Sequence, residues 1–370
     1  MKRRTFIEAG TLAGAWMLAT GGKLSAKEVE TVLADCQELS RLDYFEKNEK
    51  GMLVLADGVA DKVIDFHAHL ALKYLFAPPI DMDREDEEAA TFFPAHGNPV
   101  DLTKYSAASF TKKSKRGTRI ENAKQEFSSK GITATHTPKN LINEMDRNRV
   151  AKSVILAVDF AWGRYSKNSE TYLEASKRFP RLIPFVSVHP DSKNMEEKVR
   201  RFKEQGAVGM KIHPAAQAIR ANDENCMKLT KLCGELDLPC LFHTGESDIA
   251  PFFQADYPRL EYFTEPVESQ PETTFIMGHG GIHQYRELTE LAVRNKNVYI
   301  ELSGQPPSHI REMLDAGLED RLVYGSDWPW YIESLPLAKV LLATEGASDV
   351  RRKVLYDNAA GLMQRFGASL

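Results

Sequence analysis

From Pro138 onward, the hydrophobic pattern alternates between stretches with helical spacing and short, nearly continuous apolar runs. With the preceding Val-Ile-Asp-Phe-His-Ala-His stretch, these runs predict eight strands, at 63–69, 151–158, 182–188, 208–213, 239–243, 273–277, 297–302 and 321–324. Helices are predicted at 139–149, 168–179, 195–205, 223–236, 265–269, 284–294 and 308–316, and twice within 336–366. Apolar strands alternating with helices indicate a covered parallel sheet. Eight such units favour a closed (β/α)8 TIM barrel in the α/β class over an open sheet.

Two stretches fall outside this alternation. The N-terminal extension, residues 27–61, has helix-like spacing of its apolar residues and is predicted to pack on the barrel domain, residues 62–367. The long insertion after the first strand, residues 71–136, shows no sustained periodicity, which predicts an active-site lid or a mobile insertion. Its basic run at 112–119 is expected to be a solvated face.

The first 26 residues have the pattern of an export signal. Arg3 and Arg4 precede Phe6 and a short apolar stretch of mostly small residues. This pattern is typical of a twin-arginine signal peptide, so the chain is predicted to be exported to the periplasm. Because the apolar stretch is too short for a comfortable membrane span, no stable membrane anchor is expected after signal cleavage.

Composition narrows the classes of partner. The 370 residues carry a formal net charge of -4, without an overall basic surface, so nucleic acid is not an expected partner. A small-molecule substrate is expected instead, and a homodimer is left open. The cysteines are predicted to be small buried hydrophobes rather than zinc ligands or a disulfide pair, and they are Cys36, Cys226, Cys233 and Cys240.

The first strand carries two histidines separated by one residue. Side chains alternate across a strand, so His67 and His69 are predicted to project to the same side, as chelation of a metal requires. Asp65 shares that side and could orient one of the imidazole rings. The pair alone is weak support for a metal site, because many strands contain histidine without binding metal.

Further polar residues stand at the ends of later strands. These are Lys211, His213, His243, His279 and Asp327. In a barrel the carboxyl ends of all strands meet at one mouth, so these side chains are expected to be neighbours of the histidine pair. Histidine and carboxylate are ligands expected of zinc, and the sequence therefore predicts a divalent metal site there. Histidines elsewhere are expected at the surface, namely His96, His136, His283 and His309.

The strand-end motifs resemble those of the amidohydrolase superfamily, and within it the amidohydrolase-related branch that includes aminocarboxymuconate semialdehyde decarboxylase. The matching segments span most of the chain and are Asp65-Phe66-His67-Ala68-His69, Gly209-Met210-Lys211-Ile212-His213-Pro214, Phe242-His243-Thr244-Gly245, Gly278-His279-Gly280-Gly281, Gly325-Ser326-Asp327-Trp328-Pro329-Trp330 and Asp357-Asn358-Ala359-Ala360. Taken together they are specific, whereas any one of them alone is not.

The resemblance implies a set of roles. It implies that one divalent ion, with zinc favoured, is held by His67, His69, His243 and Asp327, and that His279 is the catalytic histidine. Three imidazoles and one carboxylate leave room for a water whose pKa the metal lowers, and Asp327 can accept its proton. His279 can polarise a carbonyl group or donate a proton to the leaving group.

The substrate-binding residues are less sharply defined. Lys211 is expected to be an uncarboxylated cation that anchors the substrate, although some superfamily branches carboxylate a strand-four lysine to bridge two metals. His213 is expected to line the pocket. Trp328 is expected either to form an aromatic wall against the substrate or to pack in the core.

Two reactions and one non-catalytic role are consistent with these features. The expected function is hydrolysis of a C-N or C-O bond in a cyclic amide, lactone or ester. Non-oxidative decarboxylation of an aromatic or unsaturated acid is the alternative, because the branch includes both chemistries. A metal-dependent binding protein with a degenerate barrel is a third reading.

Overall fold

Eight parallel strands form the central sheet of the structure, a computed structural model that describes residues 31–72, 81–125, 130–161, 167–246 and 255–369. Each strand pairs with the next in sequence, and in chain order they are β1 Val63–Ala68, β2 Val150–Leu156, β3 Leu182–Val186, β4 Gly209–Ile212, β5 Cys240–His243, β6 Phe275–Gly278, β7 Val298–Glu301 and β8 Leu322–Val323. All eight predicted strands are therefore confirmed. The predicted signal at residues 1–26 lies outside the described residues.

The sheet closes between β1 and the segment that follows β8. The backbone N–H of Asp327 donates to the carbonyl of His67 at 2.7 Å, and the N–H of His69 donates to the carbonyl of Trp328 at 2.6 Å. These bonds continue the parallel ladder around the seam and confirm the predicted TIM barrel. They also place Asp327 directly beside the histidine pair, although some 260 residues separate them in sequence.

Helices cover the outside of the sheet at the predicted places, and one short helix, Pro214–Gln217, was not predicted. Between strands they are Pro138–Arg147, Asn168–Arg178, Met195–Glu204, Pro214–Gln217, Glu224–Glu235, Thr264–Ser269, Tyr285–Arg294 and Pro307–Asp315; after β8 they are Ser334–Ala343, Ser348–Arg352 and Asn358–Arg365, the last two joined by a π-helical turn. The first of these shows the local logic: Thr137 caps it by accepting from the N–H of Asn140, and Leu141 and Met145, four residues apart, are buried.

Phe66 of β1 faces the apolar interior of the barrel. Its ring meets that of Phe185 edge to face, with ring centroids 5.9 Å apart, and Leu362 of the last helix belongs to the same apolar cluster. Burial of each such side chain stabilises the fold by about 1.5–3 kcal/mol. The pairing of β1 with β2 shifts register between Asp65 and Ala68, so the regular alternation of side chains is interrupted in the segment that carries His67.

The N-terminal extension contributes to the core, but not as the helix that its spacing suggests. From residue 31 onward it forms a 3-10 helix at Cys36–Arg41 and a hairpin of Phe45–Lys47 with Leu53–Leu55. Leu39 is fully buried in the same apolar cluster as the barrel residues. The Asp35 side chain caps the short helix by accepting from the N–H of Gln37.

The insertion is more regular than predicted. It contains a 14-residue helix, Lys112–Gln125. An apolar repeat is absent because the inward positions of this helix are polar: Ser114 and Thr118 are buried, and the Thr118 hydroxyl donates to the carbonyl of Phe92 at 3.1 Å. The expectation of an irregular stretch is therefore wrong for this segment, while the basic side chains Lys112, Lys113, Arg116 and Arg119 are exposed as expected.

The four cysteines are buried free thiols, as predicted. Among the residues that the structure describes, no helix combines the length and the apolar character needed to cross a lipid bilayer.

Lys339 is a fully buried cation that joins distant segments. Its Nζ donates to the carbonyl of Lys104 at 2.7 Å, to the hydroxyl of Ser106 at 2.8 Å and to the carbonyl of Gly304 at 3.1 Å. Burial lowers the pKa of Lys339 to about 7, partly offset by Asp101. The side chain therefore fastens the insertion to the barrel at a site where its charge is costly.

Replacing Lys339 with Met should destabilise the protein. Three buried oxygen atoms lose their hydrogen-bond contact with Nζ, so we expect the free energy of unfolding near pH 8 to fall by about 2–4 kcal/mol. Urea titration followed by circular dichroism measures the change, and the exposed Lys231→Met variant is the control.

The size of this effect should depend on pH. Between pH 7 and 10.5 the unfolded state keeps the Lys339 proton that the folded state has released, so the stability contributed by this residue rises with pH. The difference between wild type and K339M should therefore widen from pH 7 to pH 9. A difference that narrows over this range would contradict the assigned shift.

Candidate metal centre

Two imidazoles at the end of β1 present bare nitrogens to the same point. His67 Nδ1 lies 2.6 Å from Glu301 Oε2, and His69 Nδ1 lies 2.8 Å from the carbonyl of Leu156. A carbonyl only accepts, and both Glu301 carboxylate oxygens already accept backbone N–H groups, from Ser303 and His279, so both Nδ1 atoms carry the proton. The two Nε2 atoms, which lie 3.2 Å apart, then each carry a lone pair and no proton, so they cannot hydrogen-bond to each other.

Asp327 completes a cluster of three metal-type donors. Its Oδ1 lies 3.6 Å from the Nε2 atoms of both His67 and His69, and all three side chains are buried. Two mutually repelling lone pairs beside a carboxylate oxygen are a donor set that suits a divalent cation. The residues present therefore fit the predicted ion.

Burial sets the protonation of these donors. It lowers the pKa of His67 well below its ordinary value and that of His69 to about 3, with the nearby Lys211 adding to both shifts. Both rings are thus neutral at pH 7, which is the form that binds metals. Burial raises the pKa of Asp327, and the neighbouring Glu301 adds to that shift.

Glu301 is the functional residue that the sequence reasoning missed. Its Oε2 accepts from His67 Nδ1, from the backbone N–H of His279 at 3.0 Å and from the Ser303 hydroxyl at 3.0 Å. Burial raises its pKa to about 7, opposed by these N–H donors. An acidic residue near the end of an otherwise apolar strand run was the available signal.

Asp65 does not orient a histidine ring, contrary to expectation. Its Oδ1 accepts the backbone N–H groups of His67 at 2.9 Å and Ser326 at 2.8 Å, and its Oδ2 accepts the Ser326 hydroxyl at 2.7 Å. The carboxylate therefore joins β1 to the segment after β8 through hydrogen bonds. The orienting role that we expected of Asp65 falls to Glu301.

Lys211 lies inside the site rather than at its rim. It is fully buried, and its Nζ is 3.4 Å from His67 Nε2. Burial lowers its pKa to about 8, while the carboxylates of Asp327 and Glu301 oppose that shift. The ammonium is thus positioned to contact a ligand that approaches the cluster, and its uncarboxylated state stays a prediction.

His279 stands beside the donor cluster. Its Nδ1 is 3.9 Å from Asp327 Oδ2 and 2.8 Å from the Ser303 hydroxyl, and its ring centroid lies 4.6 Å from that of His67. Burial lowers the pKa of His279 well below its ordinary value, with Lys211 contributing. The ring is therefore neutral at pH 7 and close enough to exchange a proton with a group bound at the cluster.

His213 and His243 form a second pair of rings at the same mouth. They stack in parallel, with centroids 4.3 Å apart, and the His243 ring is 4.5 Å from that of His279. His213 Nδ1 accepts the N–H of Ala216 at 3.2 Å, so this ring also caps the turn after β4. His243 is not in the three-donor cluster of the described residues, and its role as a ligand stays a prediction.

Trp328 and His136 pack together next to the cluster. Trp328 is fully buried, and its Nε1 has no hydrogen-bond partner among the described residues. The His136 ring lies 5.6 Å from the Trp328 ring, and its Nε2 is 2.8 Å from the carbonyl of Ala90. The surface position expected for His136 is wrong, because the insertion folds over it. His96 and His283 are exposed as expected, and His309 is half-buried.

The barrel and its donor cluster define a class of metal-dependent enzyme. A family model described as Amidohydrolase matches residues 64–363, and the chain belongs to this family. It is a metal-dependent enzyme of the amidohydrolase superfamily, as the motifs indicated. A search of curated proteins returned no match to the chain.

Solved structures similar to the chain include two decarboxylases, which share its fold, and a probable hydrolase with a lower TM-score. The 5-carboxyvanillate decarboxylase from Sphingomonas paucimobilis matches with a TM-score of 0.57 and 12% identity, covering 82% of this chain and 99% of that one. A 2,6-dihydroxybenzoate decarboxylase matches with a TM-score of 0.55 and 14% identity, covering 83% and 100%. A probable 2-pyrone-4,6-dicarboxylic acid hydrolase from Acinetobacter baumannii has a TM-score of 0.49 and 16% identity, covering 83% and 99%. At these identities the likeness shows the fold alone.

Replacing Glu301 with Gln should weaken metal binding without removing a ligand. Gln lacks the charge that favours His67 Nδ1–H and therefore a bare Nε2, so we expect the affinity for Zn²⁺ to fall by about 10–100-fold. Competition with a chromophoric chelator measures the affinity. Glu312→Gln, a solvent-exposed change, should leave it unaltered, and an unchanged affinity in E301Q would show that Glu301 does not support the ligand.

Proposed function

We propose that the protein is a metal-dependent hydrolase that cleaves a C-N or C-O bond of a cyclic amide, lactone or ester. One observation carries the proposal: two groups able to take a proton, Asp327 and His279, flank the same donor cluster. Asp327 Oδ1 is 3.6 Å from the Nε2 atoms of His67 and His69, and its Oδ2 is 3.9 Å from His279 Nδ1. Proton acceptors beside an ion site are what activation of water requires.

The proposed ion is one Zn²⁺. His67, His69 and Asp327 would hold it, with His243 proposed as the fourth ligand. When bound, such an ion supplies Lewis acidity that lowers the pKa of a water and polarises a carbonyl oxygen. Imidazole and carboxylate donors favour zinc, although carboxylate-containing sites also take Mn²⁺, and metal analysis of the isolated protein separates the two.

The side chains around the cluster divide the remaining work. Asp327 accepts a proton from the attacking water while the oxygen of that water bonds to the carbonyl carbon. The same proton then passes to the nitrogen or oxygen atom that leaves, by way of His279, which takes it up before giving it away, and the C-N or C-O bond breaks. The Lys211 ammonium binds a substrate oxygen, and it is within reach because its Nζ lies 3.4 Å from His67 Nε2. His213 and Trp328 are proposed to line the substrate pocket.

Decarboxylation of an aromatic or unsaturated acid is the second candidate. The matched structures above 0.5 in TM-score include decarboxylases of 5-carboxyvanillate and 2,6-dihydroxybenzoate. In this reaction the C-C bond to the carboxyl group breaks, carbon dioxide leaves and a proton is added to the ring carbon. The same acid–base pair, Asp327 and His279, could supply that proton.

Product analysis in H₂¹⁸O separates the two reactions. Zinc-loaded protein is incubated with δ-valerolactone, dihydrouracil, p-nitrophenyl acetate and 2,6-dihydroxybenzoate. We expect an ¹⁸O-labelled carboxylate from one of the first three, because water is the nucleophile. Carbon dioxide released from the benzoate without ¹⁸O in the remaining product would overturn the hydrolase in favour of the decarboxylase.

A paired variant ties the turnover to the site. Asp327→Asn should lower kcat/KM by about 100-fold or more, because it removes the proton acceptor, whereas Asp315→Asn at the surface should not. Undiminished turnover in D327N with the metal retained would contradict the proposed role. Tight metal binding without turnover of any substrate would favour the binding-protein reading.

We also propose that residues 1–26 direct export to the periplasm through the twin-arginine route. Replacing both Arg3 and Arg4 with Lys should leave the protein in the cytoplasmic fraction, because the route reads the arginine pair. Cell fractionation with immunoblotting measures this, and Lys2→Arg, which keeps the pair, is the control. A periplasmic location for the double variant would contradict the assignment.

A further inference from the structure

Every second residue from 301 to 305, at the end of β7, has a side-chain polar atom within hydrogen-bond distance of His279. We call residues 301–305 the β7 tail. Glu301 Oε2 accepts the backbone N–H of His279 at 3.0 Å, the Ser303 hydroxyl lies 2.8 Å from His279 Nδ1, and Gln305 Nε2 donates to the His279 carbonyl at 2.8 Å. The tail thus holds the backbone on both sides of the ring as well as one ring nitrogen.

The segment that Gln305 holds is conformationally strained. His279 has φ 60° and Ile282 has φ 51°, both in the left-handed region that L-residues avoid at a cost of about 1–3 kcal/mol each. Besides the His279 carbonyl, Gln305 Nε2 donates to the carbonyl of Ile282 at 3.0 Å. One amide therefore bridges both ends of the strained turn 279–282.

The orientation of the Gln305 amide is itself fixed. Gln305 Oε1 lies 2.8 Å from His309 Nδ1, and because an amide oxygen only accepts, His309 supplies the proton. Nε2 must then face the carbonyls of the turn. The hydrogen bonds to His279 and Ile282 are consequently the ones that this side chain is set to make.

The protons of the tail fix the tautomer of His279. Glu301 Oε2 accepts the Nδ1–H of His67 at 2.6 Å and the backbone N–H of His279. It also accepts the hydroxyl proton of Ser303, whose Oγ lies 3.0 Å away. Ser303 has a single hydroxyl proton, and it is donated to Glu301. Toward His279 Nδ1 the hydroxyl can only accept, so Nδ1 carries the proton and Nε2 of the neutral ring is bare.

We propose that Ser303 and Gln305 are positioning residues for His279: Ser303 holds the ring in the Nδ1–H tautomer, and Gln305 holds the strained turn that carries it. The catalytic role of His279 in this inference rests on the proposed function, whereas the arrangement of Ser303 and Gln305 around His279 does not. A ring held this way offers Nε2 as a proton acceptor and becomes a donor only after it has taken a proton. In the part of the chain that the structure describes, neither side chain hydrogen-bonds to a member of the three-donor cluster. Gln305 acts through His279, and Ser303 acts through His279 and Glu301.

The tautomer can be read without any substrate. In zinc-loaded protein labelled with ¹⁵N-histidine, two-bond ¹H–¹⁵N correlations distinguish Nδ1–H from Nε2–H, and the His279→Asn spectrum identifies the His279 signals. We expect the Nδ1–H pattern in wild type and in Ser303→Thr, which keeps the hydroxyl. Ser303→Ala should show a substantial Nε2–H population. Ser334→Ala, which removes another buried hydroxyl bonded to Asn148 Oδ1 at 2.9 Å, is the control and should keep the wild-type pattern.

The role of Gln305 has a separate readout. Gln305→Met removes the donor with little change of volume, so amide hydrogen exchange of peptides covering 279–282 should accelerate by about tenfold or more while the Nδ1–H pattern persists. Gln305→Glu, which keeps the acceptor toward His309 and the side-chain volume, is the second variant if the first does not fold. Unchanged exchange in these variants would overturn the role of Gln305.

Measurements of activity test whether the tautomer of His279 matters for turnover. With p-nitrophenyl acetate as the probe, S303A should lose about 10–100-fold in kcat with KM within a factor of two, and S303T should recover most of that loss. An Nδ1–H pattern retained in S303A would overturn the role of Ser303. Absence of turnover in wild type would count against the proposed hydrolase alone, because the tautomer and exchange measurements need no substrate.

Discussion

The Glu301 carboxylate is the interaction on which the rest of the site depends. It is fully buried at the end of β7, and its Oε2 accepts from His67, His279 and Ser303. A buried carboxylate is costly unless donors surround it, and here the donors are themselves parts of the site. The hydrogen bonds that stabilise this one charge therefore fix the tautomer of His67 on β1 and the backbone of His279 after β6 at the same time.

The contact between the Glu301 side chain and His67, which crosses the strand between them, also explains a glycine beside the seam. A Cβ at Gly325 would overlap Glu301 Oε1 and would lie 2.8 Å from the Cβ of His67. The glycine in the Gly-Ser-Asp-Trp-Pro-Trp motif is thus required by packing rather than by a turn. Any side chain there would push Glu301 away from the histidine that it orients, so this position and the metal cluster form one steric unit.

The sequence predicted the parts of this protein that periodicity and strand-end position control. Eight apolar runs located every strand of the barrel, and the rule that strand ends converge brought Asp327 to His67 and His69. Hydrogen-bond partners were harder to predict. Asp65 and Glu301 are both acids within apolar strands, and which of them faces a ring nitrogen depends on how neighbouring strands meet, information that one strand does not contain.

The insertion posed a different difficulty, because its buried positions are polar or aromatic contacts rather than an apolar repeat. The backbone N–H of Phe92 donates to the carbonyl of Pro329 at 3.0 Å, and the Phe92 ring stacks on Trp330 with centroids 4.4 Å apart. Pro329 and Trp330 follow Asp327 almost directly, so the insertion braces the segment that carries a proposed ligand, and none of its described residues belongs to the three-donor cluster. A barrel keeps its chemistry at the strand ends and varies the loops around it. A different insertion would therefore change the surroundings of the donor cluster while leaving its donors in place.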